Sequence, residues 1–174
     1  MACKKWVSLL KDLKSVEAFK SEGNSLFQSE SVKVTLAQNS IIEEKEMELT
    51  RKFWSAFEKE DMQWWKSNYS NLLTMSQNNT LSQEERSMYK RIKGFLGLAA
   101  FSFSNSAIQQ TDYEKALKFL QIYELVEPEN SEHAYFHAKV YAAKANWKLA
   151  HSSLKKAVNL GFTDTLRVEE EKDI

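Results

Sequence analysis

The chain has 174 residues, of which 43% are hydrophobic, 12% aromatic and 28% charged, a composition typical of a globular protein that forms its own core. The 24 basic and 24 acidic side chains cancel, so no overall field draws the protein to nucleic acid or to anionic membranes. Four glycines and one proline are too few for the turns of an all-β fold. No apolar run approaches the roughly 20 residues of a membrane span. We therefore expect one all-α domain over residues 1–174.

The first 35 residues are predicted to form an amphipathic helix and a polar connector. Apolar residues recur at helical spacing over residues 4–20, and the five lysines of this segment fall mostly outside that stripe. Such a stripe either packs on a neighbouring helix or settles into a membrane interface. We favour packing, because a lysine-rich solvated face is the usual counterpart of a buried stripe.

Cys3 is the single cysteine and cannot form an internal disulfide. The simpler interpretation is an ordinary thiol near the chain terminus. In the other, Ala2-Cys3 resembles the end of a bacterial lipobox whose apolar leader is missing, and Cys3 is a candidate lipidation site. The compartment is therefore left open between the cytoplasm and the bacterial cell envelope, where the protein would be a periplasmic lipoprotein.

Residues 40–96 are predicted to form a degenerate helical hairpin and the start of a longer helix. Apolar residues recur at three- and four-residue steps over about 40–59 and again over about 62–76. The same spacing turns the side chains of Trp64 and Trp65 inward. This argues against a nucleic-acid site in which bases stack on these two rings.

A fourth, long helix is predicted from residue 82 to about 109. Ser82 and Glu85 have the spacing of a capping box, in which each side chain bonds a backbone N–H that the helix leaves unpaired. Gly94 and Gly97 interrupt this helix. Because each lowers helix stability by about 1 kcal/mol relative to alanine, they mark either a kink or a close contact with another helix.

The most informative pattern is a repeat of 34 residues that relates segment 97–130 to segment 131–164. Small residues recur at equivalent positions, where two helices can then approach closely: Ala100 and Ala134, Ser104 and Ala138, Ala116 and Ala150. Tyr113 and Trp147 follow the two turns and are expected to act as large plugs. Pro128 cannot continue the preceding helix and ends the first unit.

This region resembles the tetratricopeptide repeat (TPR), a helix-turn-helix unit of 34 residues. The resemblance rests on DYEKALKFLQIYELVEPEN (112–130) and AYFHAKVYAAKANWKLAHSSLKKAVNLGF (134–162). It implies two TPR-like repeats over 97–164, in an antiparallel helix-hairpin superhelix (a TPR-like α-solenoid), followed by a charged tail over 165–174. It also implies a non-enzymatic adaptor, chaperone or complex-assembly factor that binds a peptide or a partner's helix in its concave groove.

Four side chains are predicted to face that groove: Phe101, Asn105, Tyr135 and Lys139. The two aromatic rings would anchor the ligand, while Asn105 and Lys139 would bond a peptide backbone or a carboxylate. The Lys/Asn clamp with which co-chaperones of this family hold a terminal carboxylate is not evident in the sequence.

His133 and His137 lie four residues apart on a predicted helix and could ligate a metal together. A zinc site needs three or four protein ligands, and the sequence offers no cysteine or third histidine nearby. We therefore predict no metal, no cofactor and no catalytic residues; a metal-dependent protein or enzyme that uses His133 and His137 is the alternative. The predicted partner is a protein or peptide and not nucleic acid, with membrane contact only through lipid on Cys3, and homodimerisation is open.

Overall fold

The computed structural model describes residues 30–170 of the chain, and the side chains of residues 37–169. Over this range the chain forms seven helices and no strand, so the all-α prediction is confirmed there. The helices are α1 (Glu30–Lys59), α2 (Met62–Gln77), α3 (Gln83–Gln109), α4 (Tyr113–Val126), α5 (Ser131–Ala143), α6 (Trp147–Asn159) and α7 (Thr165–Glu170). None of them is both long enough and apolar enough to cross a membrane.

The chain divides into two units, Met1–Lys45 and Glu46–Ile174. In the first unit the described residues, 30–45, all belong to α1. The predicted amphipathic helix over 4–20 and Cys3 lie outside the described residues. The fold and the sites discussed below all belong to the second unit.

The helix boundaries agree with the sequence at α2 and α3 and differ at the two ends of the described chain. Ser82 and Glu85 form the predicted capping box at the start of α3. Helix α1 begins at Glu30 rather than near residue 40, because no glycine or proline interrupts residues 30–59. Within the predicted tail, residues 165–170 form the short helix α7.

The core of the second unit is built around aromatic rings from four helices. The Phe57 ring of α1 lies 4.8 Å from the ring of Trp65 and 4.8 Å from that of Phe103, and Phe103 lies 5.3 Å from Phe119. Such pairs contribute about 0.5–1.5 kcal/mol each beyond the area they bury. Trp65 is fully buried, as its helical spacing predicts, and its indole N–H donates to the carbonyl of Ala56.

Two turns, at Thr111 and Ala145, have the same backbone geometry and lie one repeat length apart in the sequence. Both residues have positive φ, 56° and 54°. In each turn the next amide, that of Asp112 or Asn146, donates to the carbonyl five residues earlier, at 3.0 and 2.8 Å. The side chains of Asp112 and Asn146 then cap the following helix. The backbone therefore repeats where the sequence does.

The small residues that recur in the two segments are all buried. They are Ala100, Ser104, Ala116, Ala134, Ala138 and Ala150. Gly97 also marks a close approach, because a Cβ atom placed there would meet the side chain of Glu127 at 2.8 Å. Gly94 has nothing within 4 Å of such an atom. Of the two glycines, Gly97 alone is explained by packing.

Trp147 does not form the buried plug that the sequence predicts. Tyr113 is half-buried, whereas Trp147 is 63% exposed. The difference has a physical cause: Tyr113 belongs to a hairpin followed by α5 and α6, while no described helix covers the outer face of α6 beside Trp147.

Candidate binding pocket

An open pocket of about 450 Å³ lies between α5, α6 and α7. We call it the end pocket, because it borders the last hairpin of the described chain. Most of its lining is apolar, and Trp147 stands at its exposed edge. The lining residues are Tyr135, Ala138, Lys139, Ala142, Trp147, Ala150, His151, Leu154 and Val168.

Tyr135 is held rigidly in the wall of the end pocket. It is only 2% exposed, and its ring stacks on Phe162 with the centroids 4.4 Å apart and the planes 13° from parallel. The guanidinium of Arg167 lies 4.4 Å from the Tyr135 ring centre. The same guanidinium donates to both carboxylate oxygens of Glu132, at 3.0 and 2.8 Å. Arg167 thereby fastens α7 against α5.

The charged side chains near the end pocket include several lysines. Lys139 and His151 line the pocket itself. Helix α6 carries three lysines, at 148, 155 and 156, and no acidic residue. Lys148 and Lys155 lie three residues before and four after His151, on the same face of the helix. The α6 side of the pocket therefore favours an acidic ligand, whereas α7 carries Glu169 directly after Val168.

The four predicted groove residues are not brought together. Tyr135 and Lys139 line the end pocket, whereas Phe101 lines a second opening beside Gly97 and Tyr123. The Phe101 ring stacks on Phe136, with the centroids 5.5 Å apart. Asn105 lines neither of these two openings. Tyr135 and Lys139 therefore share the end pocket, and Phe101 lies outside its lining.

Trp147 and Val168 are among the pocket residues that sequence reasoning missed. The repeat pattern treats Trp147 as a core position, and a charged tail gives no reason to expect Val168 against the last hairpin. One signal was present: Leu166 and Val168 are apolar residues in a mostly charged segment.

A separate cluster joins Glu124 of α4 to His133 and His137 of α5. One potential ligand atom from each residue lies within 4.8 Å of the others. Glu124 forms an ion pair with Lys156. The sequence indicated the two histidines but not Glu124. A hairpin between residues 124 and 133 was the available signal, because it turns the last turn of α4 toward the first turn of α5.

Comparison of the chain with protein-family models, with curated proteins and with solved structures gives no match.

Proposed function

We propose that this chain is a non-enzymatic protein-interaction module, built on two TPR-like repeats over 97–164, and that its ligand docks in the end pocket. The ligand is a peptide or a partner's amphipathic helix that carries apolar side chains flanked by acidic residues. The observation that carries the proposal is the open, mostly apolar end pocket with Trp147 exposed at its edge.

Support for the repeat comes from the backbone. The turns at Thr111 and Ala145 match in φ, in hydrogen bonding and in helix capping. Buried alanine and serine residues recur at equivalent positions of both units. Each hairpin of such an array exposes an apolar face that a neighbour covers, and the end pocket is the corresponding face of the last described hairpin.

Support for a protein ligand comes from the chemistry of the pocket. Exposed tryptophan and apolar surface beside a rigid wall are typical of binding hot spots, where aromatic anchors contribute most of the affinity. Tyr135 supplies the rigid wall, because Phe162 and Arg167 fix its ring. Lys148 and Lys155 of α6 would steer acidic groups to the rim and set the register of the ligand.

A peptide-display selection on the wild-type chain tests this proposal, with affinities measured afterwards by fluorescence anisotropy. Replacing exposed Trp147 with alanine is expected to weaken the selected peptides at least tenfold, the effect of losing an aromatic anchor of about 1.4 kcal/mol or more. Leu98→Ala is the matched control, because Leu98 is 67% exposed and lines the opening beside Phe101.

The two variants separate the end pocket from the groove predicted from sequence. If affinity falls with Leu98→Ala and not with Trp147→Ala, the ligand docks near Phe101 and the end-pocket proposal is wrong. A second copy of the chain could also occupy the end pocket, and light scattering over a range of concentrations tests for such a dimer. A wild-type dimer that Trp147→Ala makes monomeric would show that the pocket serves self-association instead.

A further inference from the structure

We propose that Glu124, His133 and His137 form a binding site for one divalent first-row transition-metal ion, such as zinc. None of these three residues lines the end pocket, so this site is separate from the proposed protein-binding surface. It would link α4 to α5 through the ion.

The first argument is the ligand set and its spacing. Two imidazoles and a carboxylate are a common protein ligand set for zinc, with a fourth position open to water. One atom from each of Glu124, His133 and His137 lies within 4.8 Å of the others. Ligand atoms bound tetrahedrally at about 2.0–2.1 Å are separated by about 3.3 Å. The three side chains therefore close by about 1.5 Å at most, a shift that side-chain torsions can supply.

The second argument is the tautomer that the backbone imposes on each ring. Nε2 of His133 lies 3.2 Å from the carbonyl oxygen of Pro128, and Nδ1 of His137 lies 2.9 Å from the carbonyl oxygen of His133. A carbonyl oxygen only accepts, so each of these nitrogens carries the proton. The lone pairs therefore fall on Nδ1 of His133 and Nε2 of His137. Metal-bound histidines are oriented in this way, by an N–H donated to a carbonyl or carboxylate oxygen.

The third argument is independent of the spacing. His133 is fully buried, and its Nδ1 atom has no hydrogen-bond partner among the described residues. A buried acceptor without a partner costs about 1–3 kcal/mol. A metal ion at this lone pair would remove that cost, which explains why a histidine occupies a position where an apolar residue would pack more favourably.

Burial and nearby charges shift the pKa values of the three cluster residues. Burial lowers the pKa of both His133 and His137 below the ordinary value of 6.5. Glu124 raises and Lys156 lowers the pKa of both rings, and His133 also lowers that of His137. Burial acts to raise the pKa of Glu124, but the hydrogen bond from Lys156 and the charge of that lysine leave it lowered. Its carboxylate is therefore ionised.

Lys156 competes with the ion for the carboxylate of Glu124. The two side chains form an ion pair, and both are exposed enough to rearrange. Binding of a metal ion would release the ammonium group. Removing that group should therefore strengthen binding, an effect that an adventitious surface site would not show.

Zinc titration by calorimetry at pH 7.5 tests the site, with metal-free protein that carries no polyhistidine tag. We expect one zinc ion per chain, in the wild type and in Cys3→Ser. Glu124→Gln and His137→Gln should each weaken binding at least tenfold. Lys156→Met should tighten it about two- to fivefold, the factor by which an exposed ion pair competes. His151→Gln, which alters the exposed histidine of α6, should leave binding unchanged. Circular dichroism checks that each variant is folded.

Thermal unfolding gives a second measurement. Zinc at a hundredfold excess over its dissociation constant should raise the melting temperature of the wild type and of Lys156→Met, because the ion binds the native state. It should raise that of Glu124→Gln much less. Three results would overturn the proposal: no zinc binding below millimolar concentrations, binding abolished by Cys3→Ser, or binding that neither Glu124→Gln nor His137→Gln weakens.

Discussion

Replacing Arg167 with alanine removes two kinds of contact that hold α7 against α5. The first is the pair of hydrogen bonds to Glu132, at 3.0 and 2.8 Å. Hydrogen bonds to charged groups contribute about 1.5–3 kcal/mol where they are shielded from water. The second is the cation–π contact at 4.4 Å from the Tyr135 ring centre, which is worth about 0.5–2 kcal/mol depending on exposure.

The solvent exposure of Arg167 and Glu132 determines how much of these contributions to stability is realised. The side chains of Arg167 and Glu132 are 35% and 27% exposed, so solvent screens part of the attraction. We expect Arg167→Ala to lower the free energy of unfolding by about 2 kcal/mol. Arg91→Ala is the matched control: Arg91 also pairs with a glutamate, Glu46, but is 56% exposed, and should cost less than about 1 kcal/mol.

Urea unfolding followed by circular dichroism measures both losses, and hydrogen exchange reports on α7 directly. Amides of residues 165–170 should exchange faster in Arg167→Ala than in the wild type, while those of α4 should not change. If Arg167→Ala is as stable as Arg91→Ala and α7 exchanges as in the wild type, then Arg167 does not hold α7 in place.

Three further predictions concern the helical core. Gly94→Ala should stabilise the protein by about 1 kcal/mol in urea unfolding, because a Cβ there meets nothing within 4 Å. Gly97→Ala should stabilise it less, because the new Cβ must displace the side chain of Glu127. Equal stabilisation by the two variants would contradict the close contact at Gly97. Ser104→Ala should stabilise by about 1 kcal/mol, since the buried Ser104 hydroxyl has no partner among the described residues, and a loss of stability would show that this hydroxyl is bonded. Burial, and to a smaller extent the charge of Glu127, raises the pKa of Tyr69 from 10.0 to about 12. Between these pH values the native state therefore keeps a proton that the unfolded state loses. Tyr69 should therefore contribute a loss of about 3 kcal/mol of stability as pH rises from 10 to 12, beside the loss that comes from Tyr123, whose pKa burial also raises to about 12. Tyr69→Phe, which also loses a bond to the Val126 carbonyl, should remove the Tyr69 share and leave that of Tyr123.

Periodicity in the sequence was sufficient to predict most of the helices. The ends of α2 and α3 follow from local signals, such as the Ser82–Glu85 capping box. The repeat also identified the positions where small side chains are buried, because close helix contacts leave a composition that can be read along the chain. These features depend on neighbours within a few residues or on one fixed offset.

The features that sequence did not predict depend on contacts across the fold. Helix α7 has six residues, too few to be stable by itself, and it is held by the distant partners of Arg167. From the sequence, Tyr135 is predicted to face a ligand. Its stacking on Phe162 could not be predicted, because Phe162 lies outside the helix that carries Tyr135. Glu124 faces the two histidines only once α4 and α5 are paired, so the sequence indicated two members of the cluster where the structure has three.

The most direct test of the end-pocket account is amide chemical-shift mapping with a peptide selected on the wild-type chain. We predict the largest shifts in residues of α5, α6 and α7 that line the end pocket, with the indole N–H of Trp147 among them. Shifts confined to the surface around Phe101 and Asn105, or no shift at Trp147 at saturating peptide, would contradict it.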